Sequence, residues 1–258
     1  MADVTYSIEG YVATVTLSNP QRYNAMSLVM WTKLGDTLEA LRADSNVRVV
    51  ILRGDGDRAF VSGADISEFD SQRNTGAGVA TYGAAVARAQ GALEQFPRPV
   101  IAAISGVCFG GGLGLVLACD IRYAAPSAKF RMPAARLGLG YTLAGVHRMV
   151  AIIGTARTAE LFYTARVCDA GQAAQFGLVN ELHVDVFAHA ALVGAEIAAN
   201  APMTVAAGKL ALNTLLSGVD DIGAASVDAA IKACFASEDY AEGRKAFAEK
   251  RPPVFKGQ

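Results

Sequence analysis

Two glycine-bearing turns contain the residues best suited to chemistry in this chain. Their sequences are Phe60-Val61-Ser62-Gly63-Ala64-Asp65-Ile66 and Gly106-Val107-Cys108-Phe109-Gly110-Gly111-Gly112. Each turn precedes a predicted helix, and a glycine turn at a helix start leaves backbone N–H groups uncovered. Two such turns on one pocket would stabilise a developing negative oxygen, and each amide donor would contribute about 3 kcal/mol. The pattern therefore predicts chemistry at an acyl carbonyl group.

Other motifs that bind nucleotides or metals are incomplete or missing in the sequence. Gly110, Gly112 and Gly114 supply only the first part of a dinucleotide fingerprint, and no Lys-Ser/Thr pair follows them as a P-loop requires. Neither H-E-x-x-H nor G-x-S-x-G occurs. The cysteines form no C-x-x-C pair and the histidines are isolated, so neither a metal site nor a disulfide framework is predicted. These residues are Cys108, Cys119, Cys168 and Cys234, and His147, His183 and His189.

The composition is that of a large globular domain. Of the 258 residues, 52% are hydrophobic, which is enough for a sizeable core. The net charge of −1 gives no indication of a basic surface that would bind nucleic acid. The N-terminus has no basic region followed by an apolar run, and no apolar stretch is long enough to span a bilayer unbroken. We therefore expect a cytoplasmic protein without nucleic-acid or membrane partners.

Strand-plus-helix units come first in the chain and a mainly helical segment follows. Alternating apolar residues predict a hairpin over 6–18, and Ser27 is a predicted N-cap for a helix to Leu41 with Met30, Leu34, Leu38 and Leu41 on one face. Further strands are predicted at 47–52, 100–104, 120–124, 128–131 and 178–182. Further helices are predicted at 81–96, 112–118, 144–153, 156–164, 171–176, 186–200, 203–217, 224–236 and 240–250.

At the two turns the chain resembles the enoyl-CoA hydratase/isomerase (crotonase) family, and the similarity extends over nearly the whole length. The matching segments are Asn24-Ala25-Met26, residues 59–66, residues 99–104, Gly110-Gly111-Gly112, Ala118-Cys119-Asp120-Ile121, Gly177-Leu178-Val179-Asn180 and Glu249-Lys250-Arg251-Pro252. The resemblance implies an α/β fold, a spiral of ββα units over residues 1–200 and a helical C-terminal trimerisation region over 201–258. It implies a homotrimer or a dimer of trimers.

The resemblance also implies a coenzyme A thioester as substrate and no separate cofactor. The oxyanion hole would consist of the backbone N–H groups of Ala64 and Gly111. Coenzyme A itself would be contacted by the first turn, by a cation of the early loop and by the end of the last helix. Those residues are Arg22, Ala64, Asp65, Ile66, Phe247 and Lys250. Phe247 and Lys250 would reach coenzyme A bound in a neighbouring subunit.

The sequence departs from the family pattern at both catalytic glutamates of its hydratases. The first would lie three residues after the middle glycine, where this chain has Gly114, and the second would follow Pro133, where it has Ala134. Adding water to a double bond needs one group that takes a proton and one that gives a proton. Glycine and alanine do neither, so standard hydration is not expected.

Other polar residues near the pocket are candidates for the chemistry. Family decarboxylases have a Leu-Gly-x-x-Tyr segment, which here ends in Tyr141, but they also have a histidine where this chain has Ala64. Arg136 lies near the lost second glutamate and, if buried, would need a partner such as a substrate carboxylate. Glu68 and Asp70 are candidates for a displaced acid or base, although a solvated helix face is the alternative for both.

Two functions are therefore open. The first is a lyase or isomerase that processes an acyl-CoA through a thioester enolate, by non-standard hydration, decarboxylation or a double-bond shift, with Ala64, Gly111, Tyr141 and Arg136 as its catalytic residues. The second is a catalytically weak acyl-CoA-binding protein with a regulatory role. Decarboxylation needs the least from side chains, because loss of CO₂ itself generates the enolate.

Overall fold

The computed structural model describes residues 2–65, 68 and 75–258 and contains two β-sheets. The first sheet has the strand order β1-β2-β3-β5-β7-β10 and the second has the order β4-β6-β8-β9. The strands are β1 Asp3–Glu9, β2 Val12–Ser18, β3 Val49–Gly54, β4 Ala59–Val61, β5 Val100–Ile104, β6 Val107–Phe109, β7 Ile121–Ala124, β8 Lys129–Arg131, β9 Cys168–Asp169 and β10 Glu181–Leu182.

Helices follow the strand pairs and then make up the C-terminal part. They are α1 Leu28–Ala43, α2 Gly76–Glu94, α3 Gly111–Leu117, α4 Ala134–Leu137, α5 Leu143–Thr164, α6 Ala170–Gln175, α7 Val186–Ala199, α8 Pro202–Ser217, α9 Asp221–Ala236 and α10 Glu238–Glu249. Helix α5 is broken at Gly154, whose φ is 74°. This break lies between the two helices predicted from the sequence.

From β3 to β8, successive strands alternate between the two sheets. The chain passes from β3 to β4, from β5 to β6 and from β7 to β8, leaving the first sheet for the second each time. Helix α3 follows β6 and helix α4 follows β8. The parallel pairing within each sheet stacks these ββα units side by side, and the predicted mixed α/β class is confirmed.

The first two predicted elements are confirmed by the structure. Strands β1 and β2 pair in antiparallel register from Asp3 opposite Ser18 to Glu9 opposite Val12. The Ser27 side chain accepts a hydrogen bond from the Met30 N–H and caps α1. The predicted apolar face of α1 is buried in the main core.

Two predicted boundaries and two short strands differ from the sequence-based expectation. Helix α2 begins at Gly76, five residues before the predicted start, because the Thr75 hydroxyl caps it by accepting from the Gly78 N–H. The strand predicted at 178–182 is reduced to Glu181–Leu182. Strands β4 and β6, predicted only as parts of the glycine turns, have three residues each, which is too short to show an alternating pattern.

The first sheet is covered on both faces, which explains its continuous apolar strands. One face packs in the main core, and the other contacts α7 through Val49, Ile51 and Ile101 on the strands and Val186 and Ala190 on the helix. Parallel strands buried on both faces are typically rich in branched apolar residues. The strands β3 and β5 have this composition.

A helix that spans a membrane must be both long and apolar. None of the helices in the described residues meets both requirements alone. Helices α7 and α8 reach them only as a pair, and the chain bends by 109° between them.

An ion pair between a buried lysine and a partly exposed aspartate connects the C-terminal helices to the first sheet. The Lys209 ammonium on α8 donates to the Asp120 carboxylate at 2.6 Å and to the Arg98 carbonyl at 3.0 Å. Its side chain is 5% exposed, and Asp120 also accepts from the Val100 N–H at 2.7 Å. Asp120 therefore connects α8 to the start of β5.

We predict that Lys209→Ala lowers the free energy of unfolding by about 2 kcal/mol, because it removes the hydrogen bonds of the buried ammonium to the Asp120 carboxylate and the Arg98 carbonyl. Urea denaturation followed by circular dichroism measures this loss. Lys232→Ala, at an exposed lysine of α9, is the matched control and should change stability by less than about 0.5 kcal/mol. Equal effects of the two substitutions would show that the ion pair of Lys209 with Asp120 does not stabilise the fold.

Candidate functional site

The two glycine turns leave the second sheet at the same edge. Strands β4 and β6 are parallel, with Ala59 opposite Val107 and Val61 opposite Cys108. Each strand leads directly into its turn, and the carboxyl ends of neighbouring parallel strands are a common position for ligand sites. A methyl carbon added to Gly111 would lie 4.0 Å from the Gly63 carbonyl carbon, so the turns are in near contact.

The first turn is held by the segment before α1. The Met26 N–H donates to the Gly63 carbonyl at 2.8 Å, and the Asp65 N–H donates to the Met26 carbonyl at 3.0 Å. These two bonds fix the peptide groups on either side of Ala64. Within the described part of the chain, the Ala64 N–H has no protein acceptor.

The second turn is held by β8 and by the start of α3. Gly110 has φ 51° and ψ −111°, a conformation that glycine adopts most readily, and its N–H donates to the Arg131 carbonyl at 2.9 Å. The first bond of the helix runs from the Gly114 N–H to the Gly110 carbonyl. The Gly111 N–H precedes this ladder and finds no protein acceptor among the residues described.

The Trp31 ring forms the floor beneath Gly111. A methyl carbon at Gly111 would lie 3.0 Å from Trp31 Cζ2. The indole N–H donates to the Tyr82 hydroxyl at 2.8 Å, and that hydroxyl donates to the Met26 carbonyl at 3.1 Å. Trp31 is therefore linked through Tyr82 to Met26, the residue that holds the first turn.

Gln90 and Tyr141 fill the space beside Gly114. A methyl carbon at Gly114 would lie 2.4 Å from Gln90 Nε2 and 3.3 Å from the Tyr141 hydroxyl. Gln90 is buried, and the Tyr141 ring packs edge-on against Phe162 with centroids 5.8 Å apart. A side chain at position 114 would therefore have to displace the Gln90 amide.

The Tyr141 hydroxyl is a protonated hydrogen-bond donor. Burial raises its pKa above the ordinary value, and the positive charge of Arg148 acts in the opposite direction with a smaller effect. The group is therefore neutral at physiological pH. The structure records no protein partner for this hydroxyl among the described residues.

An ion pair lies behind Gln90. Arg148 on α5 pairs with Glu94 through Nη2 and donates through Nη1 to Gln90 Oε1 at 3.3 Å. The sequence gives no signal for Gln90 and Arg148, because they lie inside helices α2 and α5 and far from both glycine turns in the chain. Their place beside Gly114 follows from the packing of these helices.

Arg136 lies on the surface at the end of α4. The burial that would require a charged partner is therefore not found, and its catalytic role stays a prediction. Glu68, the candidate displaced acid, accepts from the Leu28 N–H at 2.9 Å at the start of α1. Asp70 lies outside the described residues.

The residues predicted to contact coenzyme A have diverse positions. Arg22 forms an ion pair with Asp65 at 2.6 Å, next to the first turn, whereas Ile66 lies outside the described residues. Phe247 is 88% exposed and lines an apolar groove of about 820 Å³ between α8, α9 and α10. Lys250 is the exposed C-cap of α10, with φ 55°. Their contact with coenzyme A stays a prediction.

Comparison with known proteins gives one consistent result. The family model described as enoyl-CoA hydratase/isomerase matches residues 7–258. The short-chain-enoyl-CoA hydratase of Clostridium acetobutylicum is 34% identical, over 94% of this chain and 93% of its own. The enoyl-CoA hydratase structure from Bacillus anthracis has a TM-score of 0.93 at 32% identity and covers 99% of both chains.

We predict that Gly112→Ala destabilises the protein by about 1–3 kcal/mol, because the new methyl carbon would lie 2.4 Å from the Val61 carbonyl oxygen and push α3 from β4. Urea denaturation measures the change. Gly83→Ala, at an exposed helical position of α2 with open space around it, is the matched control and should stabilise by up to about 1 kcal/mol. A Gly112→Ala protein as stable as wild type would contradict the close packing of the two turns.

Proposed function

The chain belongs to the enoyl-CoA hydratase/isomerase family, whose members act on acyl-CoA thioesters, and we propose that it stabilises a thioester enolate with the amides of Ala64 and Gly111. The observation that carries this proposal is the parallel pairing of β4 with β6, which brings both turns to one edge. Both amides are without protein acceptors in the described chain. Preorganised N–H donors of this kind stabilise charge that develops on a carbonyl oxygen.

The surroundings of Gly114 disfavour standard hydration. Water addition needs an acid and a base, and Gly114 and Ala134 supply neither. The Gln90 amide beside Gly114 does not act as an acid or a base at neutral pH. The proton donor beside Gly114 is the Tyr141 hydroxyl, so the site supports reactions that need one donor in place of a carboxylate pair.

We propose decarboxylation of a 2-carboxyacyl-CoA as the reaction. The electrons of the breaking C–C bond pass into the thioester to form the enolate, whose oxygen is held by the two amides. Tyr141 then gives its proton to the α-carbon and recovers one from water. Glu94 neutralises Arg148, so among the described residues on this side the substrate carboxylate would meet the Tyr141 hydroxyl and not an unpaired arginine. Weak binding of the substrate carboxylate favours loss of CO₂, because weak binding does not stabilise the substrate relative to the transition state.

A second candidate is an acyl-CoA-binding protein without catalysis. The loss of both glutamates and the position of Gln90 against Gly114 favour it. The two functions differ in turnover, because the binding protein would retain acyl-CoA affinity without forming product.

Product formation separates the two candidates. The purified protein is incubated with methylmalonyl-CoA, crotonyl-CoA and longer enoyl-CoAs, and mass spectrometry follows the products. We expect loss of CO₂ from the carboxyacyl substrate and no hydration of crotonyl-CoA. Tight binding without turnover of any substrate would discard the enzyme and support the binding protein.

We predict that Tyr141→Phe lowers the rate constant for decarboxylation by about 100-fold, because it removes the proton donor and keeps the ring. Tyr163→Phe, at a tyrosine that is 78% exposed at the end of α5, is the matched control and should leave the rate unchanged. Arg136→Ala, assayed in parallel, tests the remaining catalytic prediction. An unchanged rate for Tyr141→Phe would remove the hydroxyl from the mechanism.

We further propose that the protein acts in the cytoplasm as a homotrimer or a dimer of trimers, with coenzyme A entering only as part of the substrate. The last three helices expose apolar side chains that a subunit contact would cover, namely Leu212, Leu215, Leu216, Ile222, Phe235 and Phe247. Phe247 and Lys250 would then contact coenzyme A held by a neighbouring subunit, and Arg22 the nucleotide end.

Light scattering coupled to size exclusion tests the assembly. We expect a mass three or six times that of the 26.8 kDa chain, because the exposed apolar surface of the C-terminal helices favours association. The control is the same measurement over a range of protein concentrations, at which a stable assembly keeps its mass. A single-chain mass throughout would contradict the trimer.

A further inference from the structure

Two histidines that are isolated in the sequence meet at the end of the first sheet. His183 directly follows β10, and its backbone N–H donates to the Ala124 carbonyl of β7 at 3.0 Å. His189 lies in the first turn of α7. Their imidazole rings stack with centroids 3.4 Å apart and planes inclined by 12°.

Both rings approach one carboxylate oxygen. His183 Nε2 lies 2.8 Å from Glu181 Oε2, and His189 Nε2 lies 3.8 Å from the same atom. The first distance is a hydrogen bond and the second is too long for one. One potential ligand atom from each of the three residues thus lies within 4.8 Å of the other two.

The unsatisfied nitrogen of His189 needs a partner. His189 Nε2 is buried and has no hydrogen-bond partner in the described chain. The Tyr123 ring packs edge-on against both imidazoles, at 4.5 Å from His189 and 5.9 Å from His183, and holds them in place. A buried polar atom without a partner is destabilising, so an additional group at this nitrogen would stabilise the cluster.

We propose that Glu181, His183 and His189 form a binding site for a divalent transition-metal ion of the zinc class. Two imidazoles and one carboxylate are a common three-ligand set for zinc, and water supplies the fourth ligand. Imidazole nitrogens favour zinc, copper or nickel over magnesium and calcium. The third ligand, Glu181, is largely exposed, which gives the ion a path from solvent.

Binding would require a small movement of the rings. An ion lies near the plane of each imidazole that coordinates it, so two parallel rings cannot share one ion without tilting apart. The two histidines belong to different elements, the end of β10 and the start of α7, and the ion would connect them. The site belongs to the first sheet, whereas the glycine turns follow strands of the second sheet.

Titration of the chelator-treated protein with zinc chloride, followed by isothermal calorimetry, tests the proposal. We expect one zinc ion per chain and a rise of the thermal unfolding midpoint with zinc concentration, because the ion binds the folded state. Magnesium chloride should give neither effect. The histidine resonances of His183 and His189 should shift on zinc addition when followed by NMR.

Substitutions at the three ligands assign the site. Glu181→Gln and His183→Ala should each weaken zinc binding by more than about tenfold, because each removes a direct ligand and the loss of an outer-shell partner alone costs about tenfold or more. His147→Ala is the matched control, because His147 is the remaining histidine of the chain and is exposed on α5. Glu181→Gln changes an exposed side chain, so it tests the site even if a histidine variant unfolds. Absence of zinc binding in the wild type, or unchanged binding in a His183→Ala/His189→Ala protein, would overturn the proposal.

Discussion

The parallel pairing of β4 with β6 is the constraint on which the site depends. Each strand has only three residues, yet together they bring the two glycine turns to one sheet edge. The absence of a side chain at Gly112 lets α3 approach the Val61 carbonyl, and the Met26 bonds fix the peptides around Ala64. The proposed carbonyl site is thus built from main-chain groups, and its geometry is set by backbone packing.

The side chains beside this backbone frame define which chemistry the site supports. A largely buried hydroxyl and a buried amide adjoin Gly114, and an arginine that is paired with Glu94 lies behind the amide. Such groups donate hydrogen bonds and do not act as bases at neutral pH, because burial raises the pKa of Tyr141. In the proposed decarboxylation, the negative charge therefore develops on the substrate, and the protein supplies a single proton.

Local patterns in the sequence predicted the elements, and long-range packing determined the rest. The α1 face and the hairpin follow from residue periodicity, and the glycine turns follow from backbone chemistry. Gln90 reaches Gly114 only after helices α2 and α3 have packed, and His183 stacks on His189 because of the path that the chain takes from β10 into α7. Arg136 illustrates the opposite case, since nearness in sequence to the second glutamate position did not bring its side chain into the interior.

The buried Lys209 has a consequence for how separable the C-terminal helices are. Its ammonium contacts the carbonyl of Arg98, before β5, and the carboxylate of Asp120, before β7. One side chain of α8 thus closes the amino-terminal ends of two neighbouring strands. A chimera that exchanges the last helices with those of a relative would have to bring a matching cation at this position, so these helices do not behave as an interchangeable module.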